Sequence, residues 1–439
     1  MFSSRPTRRY ILSLMVRGLS ARLSLFCRSY VTHGDFFDIE KKPVGFLRIL
    51  IGFMFCESKD IGFDTTITSK YEAEGLVRFI MAGGLTYRVI EPLFIRDMIR
   101  GRRMYVWKVM PRSNPDLNDA SKWDTIKDAW VDTAQPPTED FFINHARENG
   151  ITEGIPEIIS AKSALFDGKE DTTHNFLDDK FWTNCRLEGK EGKLAKDMLE
   201  NRLHKRLIFR GCGIPITNFR NKKELLQILA DSVQVNKKLR EKELLHRDIS
   251  IKNLMMTCDG PRYQGLLIDF DYMAIMSELL KDTKAVAHRP GTVPFMSINV
   301  LGGAINKPAD DLQSFFYVLV FICLGFSGPG RERNWDYRRK IHWDIYQTRL
   351  SRWLLGEDLT RLSDAKAGRM ISESKFQRDV LIEFPRYSRD LSACLRSLWG
   401  AIFRSDEVIT HDVFIRILDQ YQAQEFDENI PDDSPFIWS

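Results

Sequence analysis

Apolar positions along this chain change period several times, and each change marks an element. Residues 35–82 carry a helix-like pattern: GFLRILIGFMF, a DIGFDTTI loop, then YEAEGLVRFIMAG. From 86 to 132 the pattern becomes β-rich. TYRVIEPLFI and MYVWKVM predict a strand pair around the basic turn RDMIRGRR, and DTIKDAWV a third strand after a polar loop at 111–124. Three such segments in a row predict a meander. TEDFFINHAREN predicts a helix, IPEIISA a short strand, and RLIFRGCG a strand ending in glycines. The Lys-, Asp- and Glu-rich stretch 165–205 suggests no element. From Lys222 the period is helical, with Leu225, Leu226, Ile228, Leu229, Val233 and Leu239 largely on one face. GLLIDFDYM predicts a buried strand running into polar residues, and beyond 308 the chain looks mainly helical.

A small β-rich half therefore precedes a larger helical one, an α+β pattern. The expected division is a basic segment at 1–34, then a β-rich part at 35–213 with a helical N-terminal extension and a charged insert. A helical part follows at 214–424. The acidic, Pro-containing EFDENIPDDSPFIWS predicts a loose tail from 425 to 439.

Composition narrows the class. The 439 residues are 43% hydrophobic and 28% charged, enough for two or three packing units. A net charge of +4 is too weak an excess to argue for nucleic acid or a membrane as partner. Seven scattered cysteines without a CxxC pair suit a reduced intracellular protein, cytoplasmic or nuclear, with neither disulfides nor zinc. FLRILIGFMF (46–55) and FFYVLVFICLGF (315–326) both fall short of the roughly 20 residues a spanning helix needs, and read as buried core helices. The first 34 residues hold several arginines and serines and no acid. That suits a mitochondrial transit peptide, and equally a basic start followed by a strand, ARLSLFCRSY.

Chemistry concentrates in LLHRDISIKNL. His246-Arg247-Asp248 with Asn253 five residues after the Asp fits H-R-D-x-x-x-x-N. Ile268-Asp269-Phe270 follows where a D-F-G motif would lie, and Lys127 in the third β segment fits the V-A-I-K position. Phosphoryl transfer needs positioning and neutralisation of phosphate charge. Magnesium prefers oxygen ligands, which Asn253 and Asp269 can supply. Asp248 can orient an acceptor hydroxyl and take its proton. Lys127 can hold the α- and β-phosphates of ATP if a carboxylate holds Lys127. Glu139 on the next helix is the candidate, with Glu148 in reserve.

VWKV, IKDAW, LIFRGCGIPI, LLHRDISIKNLMM, GLLIDFDYM, GTVPFMSINVL and DDLQSFFYVL, in this order, resemble the fungal-type protein kinase family over roughly residues 20 to 410. The resemblance implies a bilobal protein-kinase-like fold, ATP with magnesium as cofactors, and a protein Ser/Thr substrate it does not identify. It implies that Asp311 braces the backbone of the His246–Arg247 turn, and that Phe209, Gly211 and Gly213 line the hinge that meets adenine.

Four departures qualify the pattern. No G-x-G-x-x-G precedes Lys127; the basic turn has one glycine, Gly101, which can let backbone amides approach phosphate. Ser250 stands where many Ser/Thr kinases have a lysine. The D-F-G glycine is Asp271, either a further metal ligand or a solvent-facing residue. The Ala-Pro-Glu motif reads Ser297-Ile298-Asn299, and Asn299 cannot make that motif's ion pair. These departures keep two alternatives open, a nucleotide-binding pseudokinase scaffold and a small-molecule kinase.

Overall fold

Period-two patterning in the first half builds one large antiparallel sheet. The computed structural model describes residues 7–73, 75–95, 104–114, 116, 119–134, 137–187, 190–191, 196–257, 262–279, 290–333 and 358–430. The chain divides into two units, Met1–Asp140 with Glu157–Cys212, and Phe141–Pro156 with Gly213–Ser439.

The first unit opens with β1 (Ile11–Arg17), β2 (Ser20–Phe26), β3 (Val31–His33) and β4 (Phe37–Asp38), a small sheet centred on β2. The N-terminal basic segment is thus strand from residue 11. Its main sheet uses β5 (Ile67–Glu72), β6 (Gly75–Ala82), β7 (Leu85–Ile95), β8 (Met104–Pro111), β9 (Asp124–Asp132) and β10 (Ile158–Ser163). Two small hairpins follow, β11 (Leu165–Phe166) with β12 (Lys169–Glu170) and β13 (Arg186–Leu187) with β14 (Lys190–Glu191), before β15 (Arg202–Phe209). The main sheet order is β10-β15-β9-β8-β7-β6-β5. Ile80, Tyr87, Trp107, Val109, Ile126 and Ile208 form its core.

Two helical expectations fail here. YEAEGLVRFIMAG is the β5–β6 hairpin. Gly75 at φ 114° breaks the helical run, and residues 79–82 bond to β7, so tertiary pairing overrides local propensity. FLRILIGFMF does form helix α1 (Pro43–Phe55), but buries none of its residues, and Phe55 is 77% exposed. An apolar periphery does not bury a helix unless a neighbour covers it.

The charged stretch 165–205 docks on both sheets. Trp182, from helix α3 (Asp179–Asn184), packs with Leu25, Cys27 and Tyr30, and the Tyr30 hydroxyl donates to the Thr173 carbonyl at 2.8 Å. Arg206 donates to Asp128 (2.6 Å) and Asp64 (2.9 Å). His204 lies between Asp128 (3.3 Å) and Asp171 (3.1 Å), and Arg9 donates to Asp171 (2.8 Å). All six groups are buried. Burial lowers the His204 pKa, but the two carboxylates outweigh it and raise it to about 9.

In the second unit, α4 (Lys222–Glu241) is capped by Asn221, whose side chain accepts from the Glu224 N–H. It packs against α11 (His411–Gln422). The other longer helices are α7 (Pro308–Gly325), α8 (Leu359–Met370), α9 (Glu373–Asp379) and α10 (Ser392–Phe403). Helix α2 (Glu139–Glu148) starts in the first unit and continues in the second; α5 (Met276–Leu279) and α6 (Ile298–Leu301) are single turns. Among the described helices, α7 alone is long and apolar enough to cross a membrane, and 83% of it is buried inside the unit. Five short strands flank the polar loop: β16 (Ile214–Pro215) with β18 (Leu254–Thr257) and β19 (Gln264–Leu267), and β17 (Leu244–Leu245) with β20 (Ala274–Ile275). Of the tail expected to be loose, residues 425–430 are described and 431–439 lie outside the described residues; the described part is anchored at Glu428. Glu428 accepts from the Lys222 N–H (2.9 Å) and the Tyr387 hydroxyl (2.6 Å).

Candidate active site

Lys127 lies mid-strand in β9, paired with Val106 of β8 and Leu207 of β15. Two flanking strands keep its stem dry, and the residue is 4% exposed. A buried ammonium needs a partner. Glu139, the first residue of α2, accepts from Lys127 Nζ at 2.7 Å and is itself buried. The reserve, Glu148, sits at the other end of the helix and is exposed. Gly101 and its basic turn lie outside the described residues.

The hinge residues differ in environment. Phe209 ends β15, opposite Thr125 and Ile158. Gly211 has φ 76°; its N–H donates to Asp124 and its carbonyl accepts from the Thr125 hydroxyl (2.9 Å). Gly213 leaves no room for a side chain, since a Cβ there would meet Met255 Cβ at 3.0 Å.

In the second unit the polar loop follows β17. Asp311, on α7, accepts from the His246 N–H (3.2 Å), the Arg247 N–H (3.1 Å) and the Asn236 amide (3.1 Å). It therefore holds a turn in which Arg247 takes φ 68°. Burial pushes its carboxyl up, and His246, Asn236 and the two amides oppose that shift. His246 is wholly buried. The Asp248 N–H points at its Nδ1 (3.3 Å), so its Nε2 carries the hydrogen and donates to the Ile268 carbonyl (3.1 Å). Burial pushes its pKa down, which matches a neutral ring.

That turn leaves Asp248 with both carboxylate oxygens oriented. Asn253 donates to its Oδ2 (3.2 Å) and its carbonyl (2.8 Å), and the Thr292 hydroxyl donates to its Oδ1 (2.8 Å). Neither amide bond uses Asn253 Oδ1. The Ile268 N–H donates to the Asn253 carbonyl (3.0 Å), tying the loop to Asp269. Asp269 takes φ 64°, and its carboxylate approaches that of Asp271 within 4.8 Å. Asp271 is half-buried. Within the second unit, the neighbouring carboxylates of Asp269 and Asp271 offer oxygen ligands, which suit a hard divalent ion.

The end of the segment is held without an Ala-Pro-Glu ion pair. Ser297 donates to Asp310 (2.6 Å), and Gln313 accepts from the Ile298 N–H (2.6 Å). Lys366 is wholly buried behind the same segment. Sequence reasoning missed Asn236, Asp310 and Lys366. Lys366 left a signal, because it falls on the buried stripe Leu362, Ser363, Lys366, Met370 of α8. Asn236 left none, since buried asparagines occur on many core helices. A family model described as "Fungal protein kinase" matches residues 1–323.

Proposed function

The chain belongs to the fungal protein kinase family, and on that premise we propose that it actively transfers the γ-phosphoryl group of ATP to Ser or Thr hydroxyls of a protein, with magnesium. The observation that carries the reading is the fixation of Asp248, one oxygen by Asn253 and the other by Thr292, on a turn braced by Asp311. A base held this way can orient an acceptor hydroxyl and take its proton as the new P–O bond forms. Asn253 Oδ1 and Asp269 are the magnesium ligands in this reading, with Asp271 as a further one. Bound magnesium supplies charge neutralisation on the phosphate oxygens. Lys127, held by Glu139, takes the α- and β-phosphates; Phe209, Gly211 and Gly213 take the adenine, and Gly101 approaches the phosphates. The setting is intracellular, where ATP is abundant.

One observation favours a second reading. Ser250 is buried and brings no charge where a lysine would hold the γ-phosphate, which suits a small-molecule acceptor. Labelled ATP offered to a peptide library and to a metabolite extract separates the two. The expected result is label on Ser or Thr peptides, reduced at least about a hundredfold by Asp248→Ala with nucleotide binding retained. Label on a metabolite alone supports the second reading. Binding without turnover in the unaltered protein makes the chain a nucleotide-binding scaffold.

A further inference from the structure

Lys366 belongs to none of the sequence motifs, yet it is 0% exposed. Burying an ammonium costs several kcal/mol unless its hydrogens find acceptors. Nζ donates to the carbonyls of Met296 (2.7 Å) and Pro294 (2.8 Å), with that of Val293 at 3.4 Å. Nζ also lies 4.2 Å from the centroid of the Tyr317 ring. Burial pushes the amine pKa well down, while the carbonyl dipoles and the ring face favour the charged form.

The segment these carbonyls belong to begins at Thr292, which donates to Asp248, and ends at Ser297 and Ile298, tied to Asp310 and Gln313 on α7. Ser363, one turn before Lys366, donates to the Ile298 carbonyl (2.8 Å). Gly291 completes the seat, since a Cβ there would meet the Arg247 carbonyl at 3.0 Å. The middle of the segment, 293–296, is fastened by the lysine. Asn299 cannot supply the ion pair of an Ala-Pro-Glu motif; here the Lys366 amine fastens the segment from another helix through main-chain carbonyls.

We propose that Lys366 is a positioning residue for a peptide acceptor: by clamping the carbonyls of 293–296 it holds the 292–298 segment rigid beside Asp248, where the acceptor chain docks. The inference rests on the kinase reading and adds to it a residue outside the motifs that holds the segment next to Asp248. Its effect belongs in acceptor binding, because nucleotide is assigned to other residues.

The test uses the full chain. Lys366→Met keeps the length of the side chain and removes its donors; Lys366→Arg restores them. The methionine variant is expected to raise KM for an acceptor peptide about tenfold while KM for ATP stays within about twofold. Backbone amides of 292–298 should exchange at least about tenfold faster, with those of α4 unchanged, and the arginine variant should recover part of both effects. Ser297→Ala loosens the same segment from its other end. It should move the same quantities less, and it decides the matter if Lys366→Met does not fold. An unchanged peptide KM in a folded variant overturns the proposal, as does exchange at 292–298 no faster than in the unaltered protein. Equal losses in both KM values and kcat do so as well. If the unaltered protein labels no peptide, the kinase reading fails by itself, and the exchange measurement alone decides whether the clamp exists.

Discussion

Asp311 accepts three hydrogen bonds: from the Asn236 amide and the His246 N–H, both on buried residues, and from the N–H of the half-buried Arg247. Removing a buried acceptor strands its donors, each at roughly 1–3 kcal/mol. Asp311→Ala is therefore expected to cost about 3 kcal/mol or more, read as a lower urea midpoint at unchanged slope. Its turnover should fall further than that of a surface variant of equal stability, because the turn carrying Asp248 loosens. An unchanged midpoint would show that the turn holds itself. At this scale the sequence was informative wherever roles sit close together along the chain. The spacing from His246 to Asn253 named a loop, and Asp269 followed within a short strand. Thr292 reaches Asp248 of this loop, Asn236 reaches the aspartate that braces it, and Lys366 reaches the segment beginning at Thr292; all come from remote segments, and nothing in their local sequence says what they touch.

Among the elements, β9 and β15 do the most to organise the first unit. One face of this strand pair holds Asp128, His204 and Arg206, which link it to Arg9, Asp64 and Asp171 from three other segments. His204 is protonated in the folded state because its pKa is raised from 6.5 to about 9. The folded form binds the proton more tightly than the unfolded one. The stabilisation is thus full below about pH 6.5 and is lost as pH climbs through about 9, with a size on the order of a few kcal/mol. His204→Gln should flatten that decline when urea midpoints are compared from pH 6 to 10; parallel curves for variant and parent would exclude the mechanism. His411 behaves in the opposite sense. Burial lowers it to about 4, so its share is present above about pH 6.5 and is lost as pH falls toward 4. Element types were readable where period and length agreed, as in α4 and α7. They were misread in β5–β6, where neighbouring strands supply hydrogen bonds that no local pattern contains, and the degree of burial was misread in α1.

For the whole molecule, the chain end matters to the second unit. Lys222 is wholly buried at the start of α4, and its Nζ donates to Asp390 (2.7 Å) and to the Asp427 carbonyl (2.7 Å). The rings of Tyr387 and Phe426 lie at 4.2 and 5.8 Å from this Nζ, and the Tyr387 hydroxyl donates to Glu428. Truncation after Gln424 removes Phe426, Asp427 and Glu428 and leaves the ammonium with fewer acceptors. The expected loss is about 2–3 kcal/mol, confined to the unfolding of the second unit. Exchange protection followed unit by unit checks this. Protection lost equally in both units would mean that they unfold together.

The sequence by itself determined the family, the order of the two halves and which residues make up the polar loop. These depend on residue type and on spacing within short stretches, both of which are one-dimensional. Only the tertiary structure decided that Glu139 rather than Glu148 meets Lys127, that the charged insert docks through Asp171 and Trp182, and that a lysine from α8 takes hold of the 293–296 carbonyls. Each of these is a contact between segments far apart along the chain. Burial is what selects such contacts, because a charge shut away from water must find whatever partner the packing brings to it.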